Sequence, residues 1–230
     1  MSQAVNQMFA AIARHYDSLN SILSLGLHHR WRRYAVVRSN LRPGARVLDL
    51  CSGTADLALA YGKCLGSNSQ IVATDFCDAM LTYGIRKAKQ RQTALTFALA
   101  DAQRLPFTNA AFDCVCVAFG LRNVDCLVTA LREMHRVLKP GGVAVVLEFG
   151  QPHGPILGPL YGFYARHLMP CIGGFVSRNR AAYTYLPTTA AVFPAGEKFA
   201  HHMAEQSFRN VCAEPLIGGI VYLYMATRST

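Results

Sequence analysis

Short apolar runs alternate with amphipathic segments through the middle of the chain. Runs rich in β-branched residues predict buried strands, because parallel strands covered on both faces are apolar throughout. Five such runs span 46–50, 70–75, 96–100, 112–119 and 143–149. The segments between them, such as 78–91 and 125–138, carry apolar residues at helical spacing. This alternation predicts an α/β fold with a doubly wound, mostly parallel sheet.

Both ends of the chain depart from this alternation. Residues 1–40 have the spacing of helices, and we expect them to form a helical cap over the substrate. Residues 151–190 are rich in prolines and aromatic residues, which favours a lid with an apolar inner face. The final segments, 210–216 and 219–227, are expected to pair as antiparallel strands. Together these features predict a single domain over residues 1–230.

Charge and length limit the function classes. The 230 residues carry a net charge of +10, and residues 1–46 contain seven arginines and one aspartate. Arg30, Arg32 and Arg33 cluster around Trp31. This basic cluster could bind nucleic acid or phospholipid headgroups, or it could simply be the solvated face of a helix. Without a signal-like segment, the expected location is the cytoplasm. The eight cysteines are expected to be small buried residues.

The first strand leads into a loop of small residues and then a helix. This loop, Cys51-Ser52-Gly53, follows Asp49 and precedes Thr54, a candidate N-cap for a helix over 55–65. Small residues let the backbone approach a ligand closely. The stretch from Asp49 to Thr54 resembles the first motif of S-adenosylmethionine (SAM)-dependent methyltransferases. Asp49, Gly53 and Thr54 are therefore candidate cofactor-binding residues, although any α/β protein contains strand–turn–helix units.

Acidic residues end the next two predicted strands. Asp75 lies 26 residues after Asp49, close to the spacing at which a carboxylate accepts hydrogen bonds from ribose hydroxyls. Asp101 follows the third strand and is a candidate for the adenine amino group, while Ala102 leaves room for the ring. A helix-capping role is the alternative for Asp75.

Two longer signatures extend the resemblance to nearly the whole chain. They are Tyr16-Asp17-x-Leu19-Asn20, continued by Ser24, His28 and Trp31, and Arg136-Val137-Leu138-Lys139-Pro140-Gly141-Gly142, continued by Glu148-Phe149-Gly150. With Phe119-Gly120-Leu121-Arg122-Asn123, they resemble the ubiquinone/menaquinone biosynthesis C-methyltransferases of the UbiE/MenG type. That resemblance implies a class I SAM-dependent methyltransferase with a Rossmann-like sheet. It also implies methyl transfer to a ring carbon of a polyprenylated quinol, demethylmenaquinol or its benzoquinol counterpart.

The resemblance also suggests residue roles. A ring carbon becomes nucleophilic when an adjacent phenol loses its proton, so the oxyanion must be stabilised away from water. Arg122 is expected to do this, Asn123 to orient the quinol and Tyr16 to close the pocket. His153 is a candidate base, with a structural role as its alternative, and a salt bridge to Asp125 is the alternative for Arg122.

The chain also departs from the family pattern near the expected cofactor site. Ser52 and Ala55 stand where the family usually has Gly, and Ala118 replaces a common small polar residue beside the cofactor. A positive φ at Ser52 would be costly, whereas Ala55 would add only a methyl group in a first helical turn.

Other functions remain open at this point. A phospholipid or small-molecule methyltransferase would use the same lid and basic face, and a non-catalytic subunit that binds quinone-synthesis enzymes would retain the fold. Nucleic acid is not expected as a partner, because the motifs of base methyltransferases are absent. We expect no metal site, since adjacent pairs such as His28-His29 diverge on a helix. Contact with an anionic membrane surface and a homodimer are the remaining expectations.

Overall fold

A single seven-stranded sheet forms the centre of the protein. The computed structural model describes residues 3–152, 154–169, 171–172 and 180–229. The strand order is β3-β2-β1-β4-β5-β7-β6, and β7 runs antiparallel to both β5 and β6 while the other pairs are parallel. The strands are β1 Arg46–Leu50, β2 Gln70–Asp75, β3 Thr96–Leu99, β4 Phe112–Ala118, β5 Leu138–Phe149, β6 Phe208–Leu216 and β7 Val221–Arg228.

Helices pack against both faces of this sheet. They are α1 Gln3–Ile12, α2 Tyr16–Leu23, α3 Leu27–Arg38, α4 Asp56–Leu65, α5 Asp78–Gln90, α6 Leu127–Val137, α7 Leu157–Phe163, α8 Arg180–Val192 and α9 Glu197–Glu205. A 3₁₀ turn spans Leu121–Asn123, and a π-helical segment spans Tyr164–Leu168. The predicted doubly wound, mostly parallel sheet is confirmed.

Most of the apolar runs become strands because they are buried on both faces, whereas β3, at the edge of the sheet, is not. Leu48 and Leu50 of β1 face one core, which includes Phe112, Leu131 and Phe199. Val47, on the alternate face of β1, belongs to a second core beneath α3 and α4. Alternation of side chains along a strand therefore divides one apolar run between two cores.

The N-terminal helices form a third core over α5. Phe9, Ile12 and Leu19 pack with Cys77 and Met80 there. Because α2 follows α1 directly, this packing holds α2 above the ends of β1 and β4. The substrate-cap role itself stays a prediction.

Three local expectations were wrong. Strand β5 begins at Leu138 rather than at residue 143, because residues 139–142 form a bulge between two paired stretches, with Gly141 at φ 74°. The N-cap of α4 is Ala55, not Thr54, and no side chain caps that helix. The cysteines are only partly buried, since four of them are exposed: Cys64, Cys126, Cys171 and Cys212.

The segment expected to form a lid presents apolar side chains both inward and outward, since Tyr161 and Tyr164 line an internal cavity, and its role as a lid stays a prediction. Within its described residues, Leu160 and Phe163 of α7 and Leu168 after it are 45–63 % exposed, and Ile156 is 78 % exposed. Much of the apolar surface therefore faces outward. None of the helices within the described residues is long and apolar enough to cross a bilayer.

Candidate active site

The loop between β1 and α4 is held in a strained conformation. Cys51 and Ala55 both adopt left-handed backbone angles, with φ of 49° and 65°, which costs a non-glycine residue about 1 kcal/mol or more. Ser52 is not in that region, so the cost that a positive φ would bring there does not arise, and Cys51 and Ala55 carry the strain instead. Gly120, after β4, lies so close that a Cβ there would meet the Cys51 Cβ at 2.3 Å.

Two buried carboxylates hold this loop in place. Asp49 Oδ2 accepts the Ala58 N–H at 2.9 Å, and burial raises the pKa of Asp49 to about 7. Asp75 Oδ2 accepts the Gly53 N–H at 2.8 Å, and its Oδ1 accepts the Cys77 N–H at 2.8 Å. Burial also raises the pKa of Asp75. Each Asp75 oxygen keeps a further lone pair for a ligand hydroxyl.

Two clefts flank the loop, and most of the predicted cofactor residues line them. The first cleft is bordered by Gly53, Asp75, Ala118 and Asn123. The second is bordered by Arg32, Asp49, Ser52 and Thr54. Asn123 Oδ1 and Ser52 Oγ are buried without a hydrogen-bond partner among the described residues. Polar atoms of this kind point to a polar ligand.

Asp101 and Ala102 do not line either cleft. They lie at the same edge of the sheet, since Asp75 pairs with Leu99. Asp101 Oδ1 accepts the Gln103 N–H at 2.9 Å, and Ala102 is buried in the core. Their adenine-binding role stays a prediction.

Thr54 joins the loop to α2. Its hydroxyl donates to Asp17 Oδ1 at 2.5 Å and accepts from Lys87 Nζ at 3.0 Å. Lys87 also contacts Asp17 Oδ2 at 2.5 Å and Asp56 Oδ1 at 2.8 Å. The sequence did not indicate this network, which fastens the N-terminal helices onto the loop.

A third space, the inner cavity, lies behind the clefts with a volume of about 90 Å³. Arg122 lines it with Trp31, Phe119 and Phe149. The Arg122 side chain is 3 % exposed. Its ion pair is with Glu148, not with Asp125 as the alternative interpretation had it, and Nη1 lies 2.6 Å from Glu148 Oε1. Arg122 Nε is buried without a partner among the described residues.

Tyr16 and Phe119 stand where the inner cavity meets the first cleft. Both residues line both spaces. Burial raises the pKa of Tyr16, so its hydroxyl stays protonated near neutral pH. Phe119 has a φ of 61°, a backbone conformation that places its ring between the two spaces. Asn123 lies in the first cleft and does not line the inner cavity, so the structure separates Arg122 and Asn123.

An apolar groove of about 530 Å³ opens beside the inner cavity. It shares Leu23, Trp31 and Tyr164 with that cavity. Tyr164 Oη donates to the Leu23 carbonyl oxygen at 2.6 Å, which ties the π-helical segment to α2. The groove therefore offers an apolar path from the inner cavity to the exposed face of α7.

The expectation that His28 and His29 diverge was wrong. Their ring centroids lie 3.8 Å apart, and both come within 4.8 Å of an Asp56 oxygen. Two of these potential metal ligands are already paired with cationic side chains. Arg32 Nη1 contacts His28 Nδ1 at 2.5 Å, and Lys87 contacts Asp56. Cations at both positions oppose binding of a metal ion, so the absence of a metal site stays a prediction.

Three site residues escaped the sequence reasoning: Arg32, Phe119 and Glu148. For Arg32 a signal existed, because it lies one helical turn after His28 and shares its face with Ala35 and Val36, all buried. His153, the candidate base, lies outside the described residues.

The chain matches known proteins over nearly its whole length. Residues 1–228 match the model of the ubiE/COQ5 methyltransferase family. The ubiquinone/menaquinone biosynthesis C-methyltransferase UbiE of Bdellovibrio bacteriovorus is 41 % identical over 226 residues, 98 % of this chain and 96 % of that protein. The demethylmenaquinone methyltransferase of Alkalihalophilus pseudofirmus is 36 % identical over 227 residues, again 98 % of this chain and 96 % of the relative.

A solved structure shows the same fold. A SAM-dependent methyltransferase from Aquifex aeolicus superposes with a TM-score of 0.63 at 16 % identity, over 85 % of this chain and 88 % of that one. That likeness concerns the fold alone, whereas the family match covers the sequence of nearly the whole chain. The resemblance expected from the signatures is confirmed: the chain belongs to the ubiE/COQ5 methyltransferase family.

Proposed function

We propose that this protein transfers the methyl group of SAM to a ring carbon of a polyprenylated quinol. Methyl transfer from SAM and quinone C-methylation are the activities of the family to which the chain belongs. The observation that supports the acceptor is the buried Arg122 side chain, which has an unpartnered Nε and lines a cavity that shares residues with an apolar groove.

The clefts fit SAM. Gly53 has no side chain to block approach, Asp75 can accept ribose hydroxyls, and Asn123 and Ser52 offer unpaired oxygens. When bound, SAM supplies an electrophilic methyl group on a positively charged sulfur. Tyr16 and Phe119 at the junction then orient the acceptor ring toward the cleft and exclude water.

Arg122 serves the acceptor rather than the cofactor. Deprotonation of the quinol places negative charge on a ring oxygen, and a guanidinium in a dry cavity stabilises that charge. With SAM bound, the ring carbon would receive the methyl group as the carbon–sulfur bond breaks, S-adenosylhomocysteine would leave, and the ring hydrogen would be lost to water as a proton. Glu148 holds Arg122 in position by accepting from Nη1 at 2.6 Å.

The prenyl tail would occupy the apolar groove and continue into a bilayer. Exposed Leu25, Leu160 and Phe163 line the groove, and Arg166 is exposed in the adjoining π-helical segment. Apolar residues beside a cation suit a peripheral protein on an anionic membrane surface.

The test compares oxidised and reduced acceptor. Only the hydroquinone can form the phenolate, so demethylated quinone should be methylated with a reductant present and not without it. Equal rates would refute the mechanism. Arg122→Lys should lower kcat by about 10²-fold while SAM affinity changes little. The control is Arg132→Lys, an exposed arginine of α6 that contacts Gln206.

A further inference from the structure

Arg32 is buried although it belongs to a run of basic residues. Its neighbours Arg30 and Arg33 are exposed, whereas Arg32 is only 7 % exposed. The expected role of all three at a charged surface is therefore wrong for Arg32. Its side chain lines both the inner cavity and the second cleft.

The polar contacts that hold the Arg32 guanidinium in place are all made by Nη1. Nη1 contacts His28 Nδ1 at 2.5 Å and the His28 carbonyl oxygen at 3.3 Å, and it lies 3.9 Å from Asp56 Oδ2. Burial, followed by the charge of Arg32, lowers the pKa of His28 to about 4, so the neutral ring accepts this hydrogen bond. The Phe119 ring lies 5.5 Å from Arg32 Cζ and fixes the guanidinium plane.

The other donors of Arg32 are unused. Within the described part of the chain, Nε and Nη2 form no hydrogen bond. A buried guanidinium with a free edge suits a planar anion, which it can bind through two parallel hydrogen bonds.

We propose that Arg32 binds the α-carboxylate at the amino-acid end of SAM, in the second cleft. This inference rests on the proposed function. Ser52 supplies an unpaired buried oxygen to the same cleft, and the cleft lies at the N-terminus of α4, whose dipole favours an anion. Asp49 also lines the cleft and suits the ammonium group of the same zwitterion.

The carboxylate needs Arg32 because the cleft is otherwise acidic. Arg32 is the cation among the described residues that line it. Lys87, the nearest alternative, is paired with Asp17 and Asp56. The acceptor has less need of Arg32, since Arg122 already lies in the inner cavity.

Calorimetry with matched ligands tests this assignment. The wild-type protein should bind S-adenosylhomocysteine and SAM more tightly than decarboxylated SAM, by about 10- to 100-fold. Arg32→Gln should remove most of this preference and leave affinity for decarboxylated SAM nearly unchanged. Arg33→Gln, which alters an exposed neighbour, should keep the full preference.

Several outcomes would overturn the proposal. If Arg32→Gln weakens all three ligands equally, Arg32 only supports the loop. If it preserves the preference and raises KM for the quinol, Arg32 serves the acceptor. If Arg32→Gln does not fold, Arg32→Lys is the deciding variant. The lysine ammonium cannot form two parallel hydrogen bonds, so the preference for SAM over decarboxylated SAM should fall. An unchanged preference would refute the role of Arg32. A wild-type protein that binds none of the three would instead refute the proposed function.

Discussion

Arg122 Nη1 and Glu148 Oε1 lie 2.6 Å apart in a pair whose side chains are 3 % and 0 % exposed. Glu148 Oε1 also accepts the Phe149 N–H at 3.0 Å, and Arg122 Nη1 also donates to the Phe119 carbonyl oxygen at 2.6 Å. The pair therefore joins the C-terminal ends of β4 and β5. A buried charge that loses its partner is strongly destabilising.

We expect Glu148→Ala to lower the free energy of unfolding by about 3–5 kcal/mol, because it leaves the Arg122 charge buried and unpaired. Urea unfolding measures this loss. The matched control is Lys139→Gln, since Lys139 pairs with Asp113 at a similar 2.7 Å but with 43 % and 36 % exposure. That exposed pair should contribute at most about 1 kcal/mol. Equal losses for the two variants would contradict the assigned role of burial.

Substitution by glycine should change the free energy of unfolding differently at Ala55 and Ala58. Both are fully buried, but Ala55 has a φ of 65° while Ala58 lies inside α4. Ala55→Gly relieves about 1–2 kcal/mol of strain, which offsets about 0.8 kcal/mol of lost methyl burial and the greater entropy of the unfolded chain. Its net effect should stay within about 1 kcal/mol. Ala58→Gly should cost about 2 kcal/mol from helix propensity and burial.

Thermal and urea unfolding of the two variants provide the measurement. Similar losses at both positions would show that the Ala55 conformation relaxes without strain. The sequence marked both Ser52 and Ala55 as departures from the family pattern, but it does not reveal which residue of a tight loop has the left-handed angle. That assignment depends on the path of the backbone, which Asp49 and Asp75 fix through hydrogen bonds to Ala58 and Gly53.

The fold itself was predictable because each buried strand is also a local apolar run. The bounds of β1 and β2 agree with the sequence patterns. Strand β5 starts before the predicted residue 143, because Leu138, directly after the last residue of α6, already pairs with β4 ahead of the bulge. The positions of Gly53 and Asp75 beside one cleft were predictable for the same reason, since both residues lie at or just after strand ends, while their role in binding the cofactor stays a prediction. Glu148 was not predictable, and Arg32 was predictable only as a buried position, because their roles arise from contacts between α3, β5 and loops far apart in sequence.

His28 should make stability depend on pH. Burial and the charges of Arg32, His29 and Lys87 hold its pKa near 4, against the opposing charge of Asp56. An unfolded histidine binds a proton below about pH 6.5, whereas the folded one stays neutral until about pH 4. Because the unfolded state then binds more protons, stability should fall as the pH drops from 6.5 to 4, by at most about 3 kcal/mol.

Unfolding by urea at several pH values measures this slope. His28→Gln should flatten it over that window, and His29→Gln, at an exposed neighbour whose charge is a smaller cause of that pKa shift, should change it much less. Carboxylates titrate in the lower part of the same window, so the difference between each variant and the wild-type protein is the quantity to compare. An equal slope in His28→Gln would show that other groups carry the dependence.

Membrane binding should depend on both charge and exposed apolar side chains. Arg30 and Arg33 are exposed and Arg32 is not, so the charge variant is Arg30→Gln with Arg33→Gln. Each basic residue near an anionic surface contributes about 1 kcal/mol, so the double variant should bind anionic liposomes about tenfold more weakly or worse. Binding to neutral liposomes should be weak throughout, and binding to anionic ones should fall as salt rises.

Two controls distinguish membrane binding by this surface from general effects of lost charge or lost apolar area elsewhere on the protein. Lys89→Gln with Arg91→Gln removes the same charge from an exposed part of the chain around the end of α5 and should have little effect. Phe163→Ser, at the groove, should weaken flotation with liposomes, whereas Leu99→Ser, which is 60 % exposed on β3, should not. If the paired variants behave alike, lipid contact is not localised at the groove. The prenyl tail would then have to reach the inner cavity with the help of a carrier protein.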